Sequence, residues 1–198
     1  MQSFPPLQTT FLAHGNPLSS GIGQLCFRGE AAPPTNHLLT VTPYRHLAYD
    51  APLLAVADGT VAAVVSDNKD ATPQVITPDQ AFKELGGNYV DIDIGNGNFA
   101  FYAHMLPGSA SVKVGDKITR GQVIGRLGNS GNTTEAHLHF HVSRAPVPLS
   151  SDNVPFEIDR FTFAGRLEGE HFVPETKPSE RTNQLPLAWD VIDFPPGP

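Results

Sequence analysis

Histidines alternate with large apolar residues in the segment 135–142, whose sequence is EAHLHFHV. This two-residue period is typical of a β-strand, on which His137, His139 and His141 share one face while the apolar residues between them point into a core. Neutral imidazole is the commonest protein ligand for zinc, and ligands on one rigid strand are oriented before an ion arrives. The segment therefore predicts a face of histidines that holds a metal.

Two other segments carry side chains that could complete such a site. His46 and Asp50 are separated by three residues and lead into an apolar stretch and a turn at 58–59, which together predict a hairpin. The alternating aromatic segment 99–104 ends on His104. Three separate parts of the chain are therefore expected to supply metal-competent groups.

These residues belong to a series of motifs that follow one another between Tyr44 and roughly Arg144. The motifs are His46-x-x-x-Asp50, ADGTV at 57–61, GNYV at 87–90 with YAH at 102–104, VGDKITRGQVIG at 114–125, GNSG at 128–131 and HLHF at 137–140. In this order they resemble the zinc metallopeptidases of the lysostaphin and LytM type, the family M23 of cell-wall endopeptidases. Because several ordered motifs agree, the resemblance is specific.

The resemblance implies a role for each matching residue. His46, Asp50 and His139 are expected to hold one zinc ion per chain, and His104 and His137 are expected to act in catalysis. Three protein ligands leave a fourth position for water, whose pKa zinc lowers towards about 7. The two remaining histidines would accept a proton or donate hydrogen bonds to the tetrahedral intermediate. The sequence leaves open which of them is the general base.

The remaining histidines have weaker claims to a role. His37 is an alternative to His46 as the first ligand, and we favour His46 because its spacing to the aspartate is the family's commonest arrangement. His141 could donate a hydrogen bond to a ligand, contact substrate or lie exposed at the end of the strand, and we favour the exposed position. His14 and His171 have no partner motif and are assigned no role.

The fold class that follows is mostly β, with an antiparallel core and few short helices. The predicted strands are 61–66, 89–94, 98–104, 122–127, 137–143 and 156–163, and the predicted helix is 77–85. The resemblance adds a groove with zinc at its floor and a relation to β-hammerhead folds. Residues 44–144 would form the catalytic domain, 1–43 an N-terminal extension that wraps the core, and 145–198 a C-terminal extension packed on it.

Composition narrows the classes of function and partner. The 198 residues are 39% hydrophobic with 18 Gly and 19 Pro, which is typical of a turn-rich globular protein. A net charge of −7 argues against nucleic-acid binding and against tight electrostatic adhesion to anionic wall polymers or membranes. The single cysteine, Cys26, cannot form an internal disulfide. No apolar run is long enough to span a membrane, and we expect a monomer.

The leading prediction of function is a zinc-dependent endopeptidase that cuts the peptide stems or cross-links of peptidoglycan. The alternative is a catalytically inactive LytM-like protein that binds the wall or activates another hydrolase, although all five expected site residues are present. A biotinyl- or lipoyl-like carrier is disfavoured because the hairpin 114–124 has no lysine-bearing turn beside it. The segment 1–6 is interpreted as the start of a mature protein without its leader, so we expect export to the periplasm, cell envelope or exterior.

Overall fold

A computed structural model of the chain describes residues 2–4, 10–14, 25–30, 49–72, 84–133, 136–147, 151–168 and 171–194. The strands in this part of the chain are β1 Gln2–Phe4, β2 Thr10–His14, β3 Leu25–Glu30, β4 Pro52–Leu54, β5 Gly59–Val65, β6 Tyr89–Gly95, β7 Asn98–Ala103, β8 Lys117–Ile118, β9 Val123–Arg126, β10 Leu138–Ser143, β11 Phe156–Glu168, β12 His171–Gln184 and β13 Asp190–Asp193. The described residues contain no α-helix, so the prediction of a mostly β fold is confirmed.

One large sheet holds all of these strands except two. Its order is β1-β11-β13-β2-β3-β10-β7-β6-β5-β8, and β12 pairs with β11 outside this path. Every pairing is antiparallel except that of β1 with β11. A second, two-stranded sheet joins β4 to β9. The histidine strand β10 therefore lies in the interior of the large sheet, hydrogen-bonded to β3 on one side and β7 on the other.

The hairpin of β6 and β7 has the local signals that favour this structure. The strand β6 alternates apolar and acidic residues, and β7 is rich in aromatic residues. The connecting Asn96 and Gly97 have φ angles of 56° and 67°. A two-residue turn with positive φ at both positions matches the twist of a hairpin, and Asn-Gly is its preferred sequence. The sequence GNGN at 95–98 predicts such a turn, and the pairing of β6 with β7 confirms it.

The core lies between one face of the large sheet and the small sheet of β4 and β9. On β10 the residues Leu138, Phe140 and Val142 are buried in this core, as their alternation predicts. The fully buried Tyr102 of β7 also lies in it, and its hydroxyl accepts a 2.8 Å hydrogen bond from the N–H of Val56. The histidines of β10 therefore face the opposite side of the sheet.

The hairpin predicted around residues 58–59 is wrong. The strand β4 pairs with β9, whereas β5 pairs with β6 and β8. Gly59 is needed for a different reason, because a Cβ atom there would lie 2.5 Å from the carbonyl oxygen of Asp93. The glycine thus permits close approach of β5 to its neighbour rather than reversal of the chain.

The C-terminal part of the chain adds strands to the same sheet. The predicted strand 156–163 is confirmed and extends to Glu168. The polar, proline-rich sequence beyond it also forms a long strand, β12, which carries prolines and charged residues. That composition is tolerated because β12 is an edge strand, where proline and charge prevent further pairing.

The described residues contain no helix long and apolar enough to cross a membrane.

Several predictions fall on residues outside the described ranges. These are the first zinc ligand His46, its rival His37, residues 77–83 of the predicted helix and most of the N-terminal extension.

Candidate active site

His104 directly follows the strand β7 and has a backbone conformation that is unusual for its residue type. Its φ angle is 63°, in the left-handed region that favours glycine. Its N–H donates to the carbonyl of Gly86, and its own carbonyl accepts from the N–H of Gly128, each at 2.9 Å. Such a conformation costs on the order of 1 kcal/mol or more and persists where surrounding bonds hold it, often at functional sites.

The ring of His104 is buried and points its Nδ1 at the loop that precedes β10. This Nδ1 lies 2.8 Å from the carbonyl oxygen of Ser130. Because a carbonyl only accepts, Nδ1 carries the hydrogen and Nε2 is the basic nitrogen. Burial and, to a smaller extent, the neighbouring His137 lower the pKa of His104 to about 3, although the Ser130 bond acts in the opposite direction. The imidazole is therefore neutral near pH 7.

The loop 128–131 is held rigidly, so the Ser130 carbonyl is a fixed acceptor. The hydroxyl of Ser130 donates to the carbonyl of Met105 at 2.7 Å and accepts from the N–H of Asn88 at 2.9 Å. The N–H of Asn129 donates to the Asp70 carboxylate at 3.0 Å. The sequence GNSGN at 128–132 predicts a turn directly before the histidine strand, with a backbone that lines the groove. The bond from His104 to Ser130 shows that this backbone reaches the histidines.

His137 directly precedes β10 and is oriented by a threonine. Its Nδ1 lies 3.1 Å from the hydroxyl of Thr133, which in turn donates to Oδ1 of Asn129 at 3.2 Å. The Asn129 amide nitrogen donates to the carbonyl of Ala71, so its Oδ1 is the acceptor. The single hydroxyl hydrogen of Thr133 is thus committed to Asn129, and the hydroxyl oxygen accepts from Nδ1 of His137.

The two proposed catalytic rings therefore share one tautomer and lie side by side. The ring centroids of His104 and His137 are 4.6 Å apart. Each ring has its Nδ1 hydrogen held by an acceptor of the segment 130–133, which leaves Nε2 as the nitrogen that can accept a proton. The structure thus brings together the two residues that sequence reasoning assigned to catalysis.

His139 lies on β10 and completes a cluster of rings with them. Its centroid is 5.7 Å from that of His104, and its Nε2 lies 3.1 Å from Nδ1 of His141. Burial holds the pKa of His139 well below its ordinary value, and the neighbouring histidines reinforce the effect. Neutral imidazoles are the form that binds metals.

His141 is not the exposed strand-end residue that we favoured. Its side chain is 2% exposed, and its ring stacks on Phe101 with the centroids 4.8 Å apart. The prediction failed because β10 runs on to Ser143 beside β7, and the ring of Phe101 packs on this position. Burial lowers the pKa of His141 to about 4, and the ring is neutral near pH 7.

Asp50 lies in the turn before β4. Its N–H donates to the carbonyl of Leu127 at 2.8 Å. The N–H of Gly128, which follows Leu127, donates to the carbonyl of His104. The Asp50 carboxylate forms a bidentate ion pair with Arg126. The hydrogen bond that Arg126 donates lowers the pKa of the Asp50 carboxyl. Its backbone is therefore joined to that of His104 through residues 127–128, while its carboxylate is paired with an arginine.

The donors in this region fit zinc by type. His139 is a buried neutral imidazole, and Asp50 is an ionised carboxylate, and zinc binds both kinds of group. Within the described ranges no three His, Cys, Asp or Glu side chains are arranged to hold a metal ion. The third expected ligand, His46, and its rival His37 lie outside those ranges.

Comparison with known proteins identifies the family of the chain. The sequence model of peptidase family M23 matches residues 46–151, a segment that includes all five expected site residues. The chain belongs to peptidase family M23. The match begins at His46 and runs past β10, so both ends of the proposed site lie inside it.

Two curated proteins resemble part of this M23 chain. The peptidoglycan DD-endopeptidases ShyA and ShyC of Vibrio cholerae serotype O1 are 42% identical over 71 residues and 37% identical over 60 residues. These matches cover 35% and 30% of this chain but only 16% and 13% of the two relatives. Among solved structures, a mutant catalytic domain of the prophage-encoded M23 protein EnpA from Enterococcus faecalis is 19% identical, with a TM-score of 0.49, over 77% of this chain and 93% of that one.

Sequence reasoning missed the residues that orient the M23 histidines. Thr133 and the backbone carbonyl of Ser130 fix the two Nδ1 hydrogens, and Asn129 fixes the hydroxyl of Thr133. Their position in the turn just before the histidine strand was the available signal. Every residue has a backbone carbonyl, however, so the sequence could not indicate that the carbonyl of Ser130 is the acceptor.

Proposed function

We propose that this chain is a zinc-dependent endopeptidase that hydrolyses peptide bonds in the stems or cross-links of peptidoglycan. The observation that carries the proposal is the pairing of His104 and His137. Their rings are 4.6 Å apart, and both have Nδ1 directed to fixed acceptors. Two imidazoles whose Nε2 atoms can accept a proton, beside a buried, metal-competent His139, suit hydrolysis by an activated water.

The zinc ion would be held by His46, Asp50 and His139. The Nε2 of His139 bonds to His141, so Nδ1 is the nitrogen that would bind zinc. Asp50 would share its carboxylate between zinc and Arg126 or release the arginine. Bound zinc would lower the pKa of a water molecule towards about 7 and polarise the scissile carbonyl.

The catalytic histidines would transfer the protons of the reaction. One Nε2 accepts the proton of the attacking water and then delivers it to the leaving amine. While protonated, that ring also donates a hydrogen bond to the oxygen that becomes negative at the scissile carbonyl. The Nδ1 bonds to Ser130 and Thr133 stop the rings from rotating, so each Nε2 keeps its position during the transfer.

Burial strengthens these interactions. His104 and His139 are 5% and 9% exposed, so little water competes with the substrate for their ring nitrogens. Hydrogen bonds and charges act more strongly where water is excluded. The aromatic ring of Phe101 lies edge-on to His139 and stacks on His141, and so helps to exclude water from these histidines.

The substrate class is supported by the similarity to ShyA and ShyC, which are named as peptidoglycan DD-endopeptidases. A substrate in the wall places the working enzyme in the cell envelope or outside the cell. We propose an exported protein that acts as a monomer on the peptide part of the wall.

The proposal is tested with the full chain, stripped of metal by a chelator and then reloaded with zinc. We expect the reloaded protein, and not the stripped one, to release peptide-cleaved fragments from purified peptidoglycan, as identified by mass spectrometry. His137→Ala is the matched control, since it removes a proton carrier and leaves the ligands in place. A zinc-loaded protein that binds peptidoglycan without cleaving it would support the inactive, wall-binding alternative instead.

A further inference from the structure

His141 has no part in the reaction described above, although it is buried beside it. Its side chain is 2% exposed, and its Nδ1 lies 3.1 Å from Nε2 of His139. We infer that His141 is a positioning residue, whose Nδ1 accepts the Nε2 hydrogen of His139 and so presents Nδ1 of His139 to the metal. The inference rests on the proposed function in one respect, namely that His139 is a ligand.

The sheet arranges these two rings so that they meet. His139 lies opposite Ala103 of β7, and His141 lies opposite Phe101. The small Ala103 leaves room for the ring of His139, while the ring of Phe101 stacks on His141 at a centroid distance of 4.8 Å. The two imidazole planes are nearly perpendicular, at 84°, with centroids 5.3 Å apart. Packing against Phe101 therefore fixes the orientation of His141, and His141 in turn orients His139.

The direction of the hydrogen bond follows from what a metal requires. A ring nitrogen binds zinc through its lone pair, so the coordinating nitrogen must carry no hydrogen. Since Nε2 of His139 faces His141, coordination through Nδ1 requires the hydrogen to be on Nε2. Nδ1 of His141 is then the acceptor, and the hydrogen of His141 lies on its own Nε2. If the bond ran the other way, Nδ1 of His139 would be protonated and could not bind zinc.

Histidine ligands commonly donate their second N–H to a carboxylate or a carbonyl, which fixes the tautomer and raises the basicity of the ligand. In this chain the acceptor is an imidazole stacked on an aromatic ring. Loss of such an acceptor typically costs about 10- to 100-fold in metal affinity. His141 is therefore expected to set zinc affinity without contacting zinc or substrate.

The test compares two substitutions in the full chain. His141→Leu removes the acceptor and leaves a buried apolar group of similar size, whereas His141→Asn can place its Oδ1 near the position of Nδ1. Zinc affinity is measured by competition with a chromophoric chelator, and the melting temperature of each metal-free protein is recorded. We expect His141→Leu to lose about 10- to 100-fold in zinc affinity while its melting temperature does not fall. His141→Asn should keep most of the affinity.

A result in which His141→Leu binds zinc as tightly as the wild type would overturn the inference. If that variant fails to fold, the nitrogen-15 shifts of the His139 ring in the zinc-loaded wild type decide the question. Metal on Nδ1 with hydrogen on Nε2 supports the inference, and metal on Nε2 refutes it. His139→Ala separates this failure from failure of the proposed function, because a variant that keeps full zinc affinity would show that His139 is no ligand at all.

Discussion

A hydrogen bond of 2.8 Å joins Nδ1 of His104 to the backbone carbonyl of Ser130, 26 residues further along the chain. It connects the end of β7 to the loop before β10, and so ties one proposed catalytic histidine to the segment that precedes the other. The loop is itself fastened by the Ser130 hydroxyl, which bonds to Met105 and Asn88. The position of His104 therefore depends on a residue that need not contact substrate.

Ser130→Ala should impair catalysis more than it impairs zinc binding. The substitution leaves a buried carbonyl of Met105 and a buried N–H of Asn88 without the hydroxyl, at a cost of about 1–3 kcal/mol in stability. A loosened loop also loosens the acceptor of His104. We expect kcat on peptidoglycan fragments to fall with bound zinc unchanged. Ser111→Ala, at an exposed serine, is the control, and equal kcat in the two variants would contradict the prediction.

Asp50→Ala should weaken zinc binding, since it removes the only charged ligand that we propose. The comparison is with Asp67→Ala, which deletes an exposed carboxylate of the same charge. Zinc content after dialysis is measured by elemental analysis, with one ion per chain expected for the wild type and the control. His46→Ala should lose the ion as well. If His46→Ala keeps its zinc while His37→Ala loses it, His37 is the first ligand.

Asp91 predicts a pH dependence of stability. Its side chain is 1% exposed, and its Oδ1 has no hydrogen-bond partner within the described residues. The pKa of Asp91 is raised from 3.8 to about 7, chiefly by burial and also by the charge of Asp93, while a backbone bond from Ile92 opposes the rise. Because the folded state holds the proton more tightly than the unfolded state, stability is full below about pH 4 and is lost as the pH rises through about 7.

Asp91→Asn should remove this loss, because the amide stays neutral at every pH. In urea unfolding we expect the variant to gain about 2–4 kcal/mol over the wild type at pH 8, and the gain to shrink steadily towards pH 4. Asp67→Asn, which makes the same change at an exposed site, should shift stability by less than about 0.5 kcal/mol. A difference between Asp91→Asn and the wild type that is equal at pH 5 and pH 8 would refute this account.

The C-terminal strands should stabilise the catalytic part of the sheet. Phe156 of β11 is 3% exposed and packs edge-on against Phe140 of the histidine strand, with the ring centroids 5.2 Å apart. Phe156→Ala should cost about 3–5 kcal/mol by leaving a cavity, whereas Phe172→Ala, on the exposed edge strand, should cost far less. Deletion of residues 150–198 should lower the melting temperature and the yield. A truncated protein of unchanged stability would show that this part is a separate element.

Sequence patterns predicted the local features and failed where distant strands decide. The alternation of residues predicted the positions of β6, β7 and β10 closely, and Asn96-Gly97 predicted the hairpin of β6 and β7. Both signals depend only on residues that are neighbours in the sequence. The pairing of β4 with β9 was missed because these strands are far apart in the sequence. The role of Gly59 was missed because it depends on Asp93, which lies on another strand. The burial of His141 was missed for the same reason.

Part of the candidate site was also predictable. The histidines of the site were found by their type and spacing, and the structure brings His104 close to His137 and His139. Their tautomers were not predictable, because they depend on a backbone carbonyl at Ser130 and a hydroxyl at Thr133. The partner of the Asp50 carboxylate, Arg126, lies 76 residues away, and no local pattern indicates it.

The central claim is that zinc binding and proton transfer belong to different histidines. It is tested most directly by measuring peptide-bond cleavage in purified peptidoglycan at equal zinc occupancy for the wild type, His104→Ala and His137→Ala. We predict that both variants keep one zinc per chain while cleavage falls by about 10²- to 10⁴-fold. If His137→Ala instead loses its zinc, or if either variant cleaves at the wild-type rate, the proposed division of roles is wrong.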